Sequence, residues 1–378
     1  MTATHPSVAD VRPDLTIRDL TDPAQGCHAL QLIAVQLNDA LTGAWNCPSR
    51  IWRGDPIVSL ADNYDRLGYP PDAITRERRY TRYVDADHVL RSHTSALIPG
   101  ALRQLAAQAS AAAAPPELLL VCPGMCYRRD AVDWQHTGEP HQLDLWRIRR
   151  GPVGEVSLQQ MIGRVVETVL PGARWRAVPA EHPYTVSGRQ IDVWSDGQWI
   201  EIGECGLAAP DVLRSAGLGR PWSGLAMGLG LDRLLMLRKR IPDIRLLRSV
   251  DARVAIQMLD LSPYRPVSHL PPVRRDLSVA VGPDVDASAE GIGDRVRQAL
   301  GSDADAAETV EVLSETAYDA LPVAARDRLG ISPGQRNLLV RLVLRPLDRT
   351  LTDAEANELR DRVYAALHEG AAAEWTGR

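Results

Sequence analysis

The chain has 378 residues, 45% of them hydrophobic, and a formal net charge of -5. That length supports two or three domains with an ample core, and no run approaches the ~20 consecutive apolar residues that a membrane helix needs, so a membrane protein is excluded and a soluble globular one expected. The weakly acidic balance excludes gross electrostatic attraction to nucleic acid but leaves room for a local basic face. Asp10, Asp14 and Asp19 near the start fit neither a signal peptide nor an acid-poor transit peptide, which makes the cytoplasm the expected compartment. The five cysteines, Cys27, Cys47, Cys122, Cys126 and Cys205, form no C-x-x-C pair, so buried free thiols are expected rather than a zinc site or a disulfide framework. Lys239 is the only lysine, and phenylalanine is absent altogether, where roughly ten or more would be ordinary.

In chain order, the first predicted element is a helix over Ala24 to Leu41, with Leu30, Ile33, Ala34 and Leu41 near helical spacing. Asn63, Tyr64 and Asp65 follow, then an S-H-T-S stretch over Ser92 to Ser95, and an alanine-rich helix over Leu97 to Ala114 that stops at Pro115 and Pro116. From Glu117 an apolar run, Leu118 to Val121, reaches a Pro123-Gly124 turn signal and resumes as a short strand ending in Tyr127, Arg128, Arg129 and Asp130. Past Asp133 and His136, a second run carries Gln142 and Asp144, which two-residue spacing turns to one face of a strand. Two such antiparallel strands set an arginine and two amine-accepting side chains over one patch, an arrangement that suits a ligand with phosphate at one end and ammonium at the other. A helix over Ser157 to Leu170 comes next, then a stretch from His182 to Gly206, then a strand entering the glycine corner Gly224 to Gly230 ahead of a helix that carries Arg233. Taken alone, G-x-G before a helix indicates only some phosphate or nucleotide. A proline-rich linker over 263–272 divides a first domain, 1–262, from a second, 273–378. There the pattern predicts strands over Val273 to Val281, Ala307 to Tyr318 and Asn337 to Arg345. Helices are predicted over Ala287 to Leu300 and Thr352 to His368, the latter opened by a capping box of Thr352 and Glu355. The order β-α-β-β-α with a short last strand describes a ferredoxin-like split unit.

The string Tyr127, Arg128, Asp130, Asp133, His136, His141, Gln142 and Asp144 resembles the second signature motif of class II aminoacyl-tRNA synthetases, and among them that of phenylalanyl-tRNA synthetases, Y-R-x-D, D, H, F-H-Q, E. Further matches follow in order. Asn63 to Asp65 stands for N-F-D, Leu90 to Ser95 for L-R-T-H-T-S, His182 to Thr185 for F-P-F-T, Trp199 to Gly206 for W-x-E-I-x-G-C-G, and Gly224 to Met236 for G-F-A-F-G-L-G-x-E-R-L-x-M. The segments R-R-D-L-S from Arg274 and D-R-T-L-T-D over Asp348 to Asp353 resemble the anticodon-binding domain of the same synthetases. The resemblance is nearest to the single-chain organellar form.

The resemblance implies an α+β fold: an antiparallel catalytic sheet flanked by helices, plus a ferredoxin-like βαββαβ C-terminal domain. It implies ATP-dependent activation of phenylalanine or a related aromatic amino acid, followed by transfer to tRNA, by a monomer or homodimer. Arg128 and Arg233 are then catalytic. Arg128, Asp130, Glu201 and Arg233 contact ATP, with Glu201 the ligand for Mg2+, while His93, Ser95, Gln142, Asp144, His182, Tyr184 and Ala226 line the amino-acid site. The departures bear on substrate: Pro140 stands where the family has an aromatic over adenine, Asp144 is one methylene shorter than the family's glutamate, and His182 and Tyr184 replace two phenylalanines. Those two exchanges favour water or a substrate with a polar ring substituent. With the missing phenylalanine they suggest a specialised or self-resistance copy, the alternative being a paralogue that passes the activated amino acid to a non-tRNA acceptor.

Overall fold

In the computed structural model the described residues are 12–372, apart from 78–79, 112–113, 130, 132, 268–270 and 348. Two compact units are formed, one from residues up to Arg128 with Glu139–Ile241 and Gln257–Tyr264, the other from Arg129–Gly138, Pro242–Ile256 and Arg265 onward. The predicted division was contiguous; here two short segments from within 1–262 cluster with the second unit.

The first unit carries strands β1 (Ser49–Ile51), β2 (Ile57–Ser59), β3 (His88–Leu90), β4 (Glu117–Met125), β5 (His141–Arg150), β6 (Trp175–Pro179), β7 (Thr185–Ser195), β8 (Gln198–Ala208) and β9 (Trp222–Gly230). Seven make one sheet in the order β1-β4-β5-β9-β8-β7-β6, while β2 and β3 pair separately. Only β1–β4 is parallel among its ladders. The strand β4 runs through Pro123 and Gly124, where a turn was expected. Leu119 N and Val121 O both bond toward β1, so by the two-residue period the nitrogen of Pro123 faces that side too. There β1 has already ended at Ile51, and no ladder bond is lost. Gly124 leaves room for the Arg91 guanidinium, whose Nη2 would stand 2.5 Å from a Cβ.

Alternation then sorts the faces. Leu118, Leu120 and Cys122 join Trp146, Ile148 and Ala226 in a core that the helix Ile98–Ser110 covers with Ile98, Ala101, Leu102 and Leu105. On the opposite face Arg147 lies over the ring of Trp45, 4.3 Å from its centroid, at the end of the helix Ala29–Trp45, which packs against the helix Glu155–Val169. The first of these begins five residues later than the sequence pattern. Pro23–Gln25 forms a separate 3-10 turn closed by Gly26 at φ 110°, and His28 Nδ1 caps the true start by accepting from Leu30 N. The alanine-rich helix ends at Ser110, short of Pro115, with 112–113 outside the described residues.

In the second unit β10 (Val273–Val281), β11 (Ala307–Ala317) and β12 (Arg336–Leu344) form a sheet of order β10-β12-β11. The helices Ala289–Leu300 and Asp353–Leu367 pack on it and on each other, burying Ile292, Val296, Leu359 and Val363 against Leu277, Val279 and Val340. The capping box of Thr352 and Glu355 forms. The fourth strand of a βαββαβ unit does not: among the described residues the chain after Leu367 makes one backbone bond to the edge of β10, Glu369 N to Ala280 O, and the His368 ring takes the adjoining Ala280 N–H. A side chain thus occupies the donor that a strand would have used. A helix not predicted, Val323–Leu329, fills the β11–β12 connection, and Asp348 lies outside the described residues.

Residues Gln257–Tyr264 stay with the first unit because Lys239 holds them. This lysine, only 1% exposed, donates to Asp260 O, Asp260 Oδ1 and Ser262 O at 2.6 to 2.9 Å, and Tyr264 N returns a bond to Lys239 O. Removing the ammonium orphans two carbonyls, whereas the Asp260 side chain, largely exposed, loses little. Lys239→Met should therefore cost about 2 kcal/mol in thermal unfolding and open 257–264 to limited proteolysis; an unchanged melt and cleavage pattern would contradict this assignment.

Candidate active site

The register across three strands builds the floor of the site. Asp144 on β5 pairs with Gly228 on β9, which pairs with Glu204 on β8, so two carboxylates flank one glycine. Asp144 is 1% exposed, and both its oxygens take the Ser95 hydroxyl, at 2.7 and 2.8 Å. Ser95 is delivered by the 3-10 turn Thr94–Leu97, fixed on β5 by Thr94 N donating to Gln142 Oε1 at 3.2 Å. Burial pushes the Asp144 carboxyl up to about 7 against the pull of Ser95, with the charge of Glu204 adding to the rise.

Two guanidiniums stand at this site, each tied through one nitrogen to a backbone carbonyl: Arg128 Nε to Ser92 O at 2.7 Å and Arg233 Nη1 to Glu201 O at 2.9 Å. Arg233 lies in the first turn of the helix Leu231–Lys239. The Glu201 carboxyl is raised by burial and by Glu204, while Arg233 and Arg128 both draw it down, which puts the four charges in one field. Glu201 and Glu204 are three apart, a spacing that alternation sends to opposite faces. A register shift between the pairs Ile191–Gly203 and Asp192–Glu201 inserts an extra residue and so brings them to the same side.

Aromatic rings wall the floor. Tyr184, buried, lies between Trp146 and His182, each with its ring centroid 6.0 Å away. Across from it Tyr69 stacks on His93 at 5.6 Å. His93 is half-buried, and neither of its ring nitrogens, both shielded from solvent, is hydrogen-bonded. Burial, with Arg128 adding, pushes its pKa down to about 3, so the ring is neutral near pH 7. The Tyr184 hydroxyl donates to Glu204 Oε2 at 3.4 Å, and His182 Nε2 meets the same oxygen at 3.0 Å.

Residues 14–258 match the model of the tRNA synthetases class II core domain (F). The chain belongs to this synthetase family. It is 25% identical to a probable mitochondrial phenylalanine--tRNA ligase of Drosophila melanogaster over 90% of this chain and 83% of that protein. It is 26% identical to the mitochondrial phenylalanine--tRNA ligase of Saccharomyces cerevisiae, covering 82% and 80%. To the phenylalanine--tRNA ligase alpha subunit of Prochlorococcus marinus (strain MIT 9313) it is 33% identical, over 62% of this chain and 68% of the subunit.

Within the synthetase core the structure gathers Arg128, Arg233, Glu201, His93, Ser95, Gln142, Asp144, His182 and Tyr184 around one floor, with Ala226 beneath them, opposite Trp146. Met227, next in the chain, turns to the other face. Asp130 lies outside the described residues, and Asp133 caps the loop at Gln135 and His136 in the second unit. Sequence reasoning missed Glu204, Tyr69 and Arg91. Glu204 was visible as a departure, since the family pattern has glycine there, but its direction depends on the bulge. Arg91 donates to Met125 O and Gly54 O and so fixes the end of β4.

Asp144 also makes the fold sensitive to pH. Its folded pKa lies above the unfolded value of 3.8, so between roughly pH 4 and 7 the folded state holds a proton that the unfolded state has released, and stability falls as pH rises through that window. Relative to Asp144→Asn, the wild type should lose on the order of 4 kcal/mol between pH 4 and pH 7, read from urea midpoints of both proteins at each pH; parallel curves would show that the carboxyl titrates normally.

Proposed function

We propose that this synthetase is a single-chain phenylalanine--tRNA ligase, activating phenylalanine or a closely related aromatic amino acid with ATP and transferring it to tRNA. The observation that carries the reading is the juxtaposition, in one sheet floor, of an amine-accepting set, Ser95, Gln142 and Asp144, with two guanidiniums held by backbone carbonyls, Arg128 and Arg233. Among the described residues neither guanidinium is matched by a carboxylate ion pair.

In this reading the substrate carboxylate attacks the α-phosphorus of ATP, a carboxylate–phosphorus bond forms, and pyrophosphate departs with the broken P–O bond. No side-chain nucleophile is required, so the protein acts by placement and by charge. Asp144 and Gln142 hold the ammonium, and His93, neutral, is a hydrogen-bonding partner for the polar end of the amino acid. Arg128 bridges the two reacting anions, because a planar guanidinium offers paired donors to both. Arg233 faces the nucleotide. Among the described residues no group of three or more His, Cys, Asp or Glu is arranged to hold a metal, so Mg2+ at Glu201 would share its coordination with phosphate and water, as that ion commonly does. When bound it supplies neutralising charge. The second unit is assigned to RNA on its R-R-D-L-S and D-R-T-L-T-D segments, and the named relatives, ligases of tRNA, lend nothing to the non-tRNA acceptor.

Arg128→Ala should lower ATP–pyrophosphate exchange by about 100-fold, the usual cost of losing a charge-assisted contact to a developing anion, with unchanged melting temperature. The wild type should also charge a tRNA(Phe) transcript. Near-normal exchange by the variant would remove Arg128 from the chemistry, and exchange without charging would restore the non-tRNA acceptor.

A further inference from the structure

Glu204 is not accounted for by the chemistry above. The ammonium of an amino acid needs one carboxylate, and Asp144, with Ser95 and Gln142 beside it, provides it. Yet a second carboxylate stands two strands away, across Gly228 on the strand between, which leaves the space between them open: a Cβ on Gly228 would come within 3.5 Å of Asp144 Oδ1 and 4.0 Å of the Tyr184 hydroxyl. Placing a second acid here has a cost, since the charge of Glu204 raises the pKa of both Asp144 and Glu201. The structure also aims Glu204 at the aromatic wall. One of its oxygens, Oε2, is taken by Tyr184 and His182, while Oε1 has no hydrogen bond among the described residues. It thus remains an acceptor beside the rings that would grip a substrate's side chain.

We infer that Glu204 is a specificity-determining residue that selects an aromatic amino acid whose ring carries a hydrogen-bond donor, a phenolic hydroxyl in the first place, over plain phenylalanine. The inference rests on the reading of this site as one that adenylates aromatic amino acids. A ring hydroxyl donating to Oε1 forms a charge-assisted bond. An unsubstituted phenyl ring displaces water from a carboxylate and returns nothing, and sites built around such a bond discriminate strongly against the ligand that lacks it. Tyr184 and His182 hold Glu204 in place from one side, so the carboxylate is pre-oriented.

The test is ATP–pyrophosphate exchange by the full chain with phenylalanine, its 3-hydroxy and 4-hydroxy derivatives, the 4-amino derivative, and 4-methoxyphenylalanine, which fills the same space without a donor. In the wild type the best donor-bearing ring should exceed phenylalanine in kcat/KM by about 100-fold, with the methoxy compound no better than phenylalanine. In Glu204→Gln that ratio should fall at least about tenfold. Calorimetric binding of the same compounds to the wild type should give the same ranking, and it stands even where the variant folds poorly. Preference for phenylalanine in the wild type overturns the inference while leaving the synthetase reading intact. So does an equal loss for every substrate in Glu204→Gln, which would make Glu204 an ammonium contact or a support of the sheet. Absence of exchange with every aromatic amino acid overturns the underlying reading, and the inference falls with it.

Discussion

A carboxylate at 1% exposure on a central strand is the most demanding feature of this molecule, and the arrangement around Asp144 follows from it. Burial of an ionised acid is tolerated only with hydrogen-bond donors at hand or with a proton retained. Here the donor is Ser95, which must be carried to β5 by a rigid turn. The turn Thr94–Leu97 is rigid because the Thr94 N–H is pinned to Gln142 and because its residues are themselves buried against β4 and β5. Gly228 completes the setting from the other side, where even a Cβ would touch Asp144 and Tyr184 at 3.5 to 4.0 Å. The same contacts that make the acid affordable in the fold leave it poised near neutrality, ready to be ionised by an incoming cation.

The positive half of the site obeys a different rule. Arg128 and Arg233 are each anchored through a backbone carbonyl, at Ser92 and Glu201, whereas Arg91 combines the carbonyls of Met125 and Gly54 with an ion pair to Asp19. A carbonyl fixes the plane of a guanidinium without cancelling its charge, whereas a carboxylate partner would do both. Elsewhere the chain uses the second device freely, as where Arg341 meets Asp276 across β12 and β10 or Arg147 meets Glu117 across β5 and β4. The contrast separates arginines that hold strands together from arginines whose charge is kept for a ligand, and lysine, lacking a fork, could not be oriented in this way.

What was legible in the sequence was whatever depends on short-range pattern. The spacing of Gln142 and Asp144, the capping box at Thr352, and the strand Val273–Val281 need only periodicity and local hydrogen bonding, and the structure has them in those places. The losses occur where a distant segment decides. Pro123-Gly124 has the composition of a turn, but it lies past the end of β1 and under Arg91, two facts belonging to residues 51 and 91. The fourth strand of the C-terminal sheet is pre-empted by the ring of His368. Glu204 could be seen to differ from the family's glycine, but only the bulge in β8 turns it into the site. Ser95 and His93, by contrast, were found through the family motif alone; nothing in their own spacing says that a hydroxyl will meet a carboxylate 49 residues further on.

The ring walls carry the argument one step further. In a chain without phenylalanine, every aromatic that surrounds the floor, Tyr69, His93, Trp146, His182 and Tyr184, brings at least one polar atom into an apolar setting. Only some of these atoms are satisfied from within. Tyr184 has Glu204, but both nitrogens of His93, Nδ1 of His182 and Nε1 of Trp146 are buried without a hydrogen bond. A fold selected for stability alone would dispose of such atoms, since each costs on the order of 1 to 3 kcal/mol when orphaned, and native structures keep few of them. Such atoms also occur elsewhere among the described residues, as at Asn38 Oδ1 and Arg189 Nε; those at this floor adjoin Glu204, whose side chain is 42% exposed and so open to a ligand. A purely hydrocarbon ring would engage none of the hydrogen-bonding capacity here, and a ring with a donor would engage part of it. The polarity of the walls and the direction of Glu204 are thus one arrangement, joined where Tyr184 and His182 meet its Oε2.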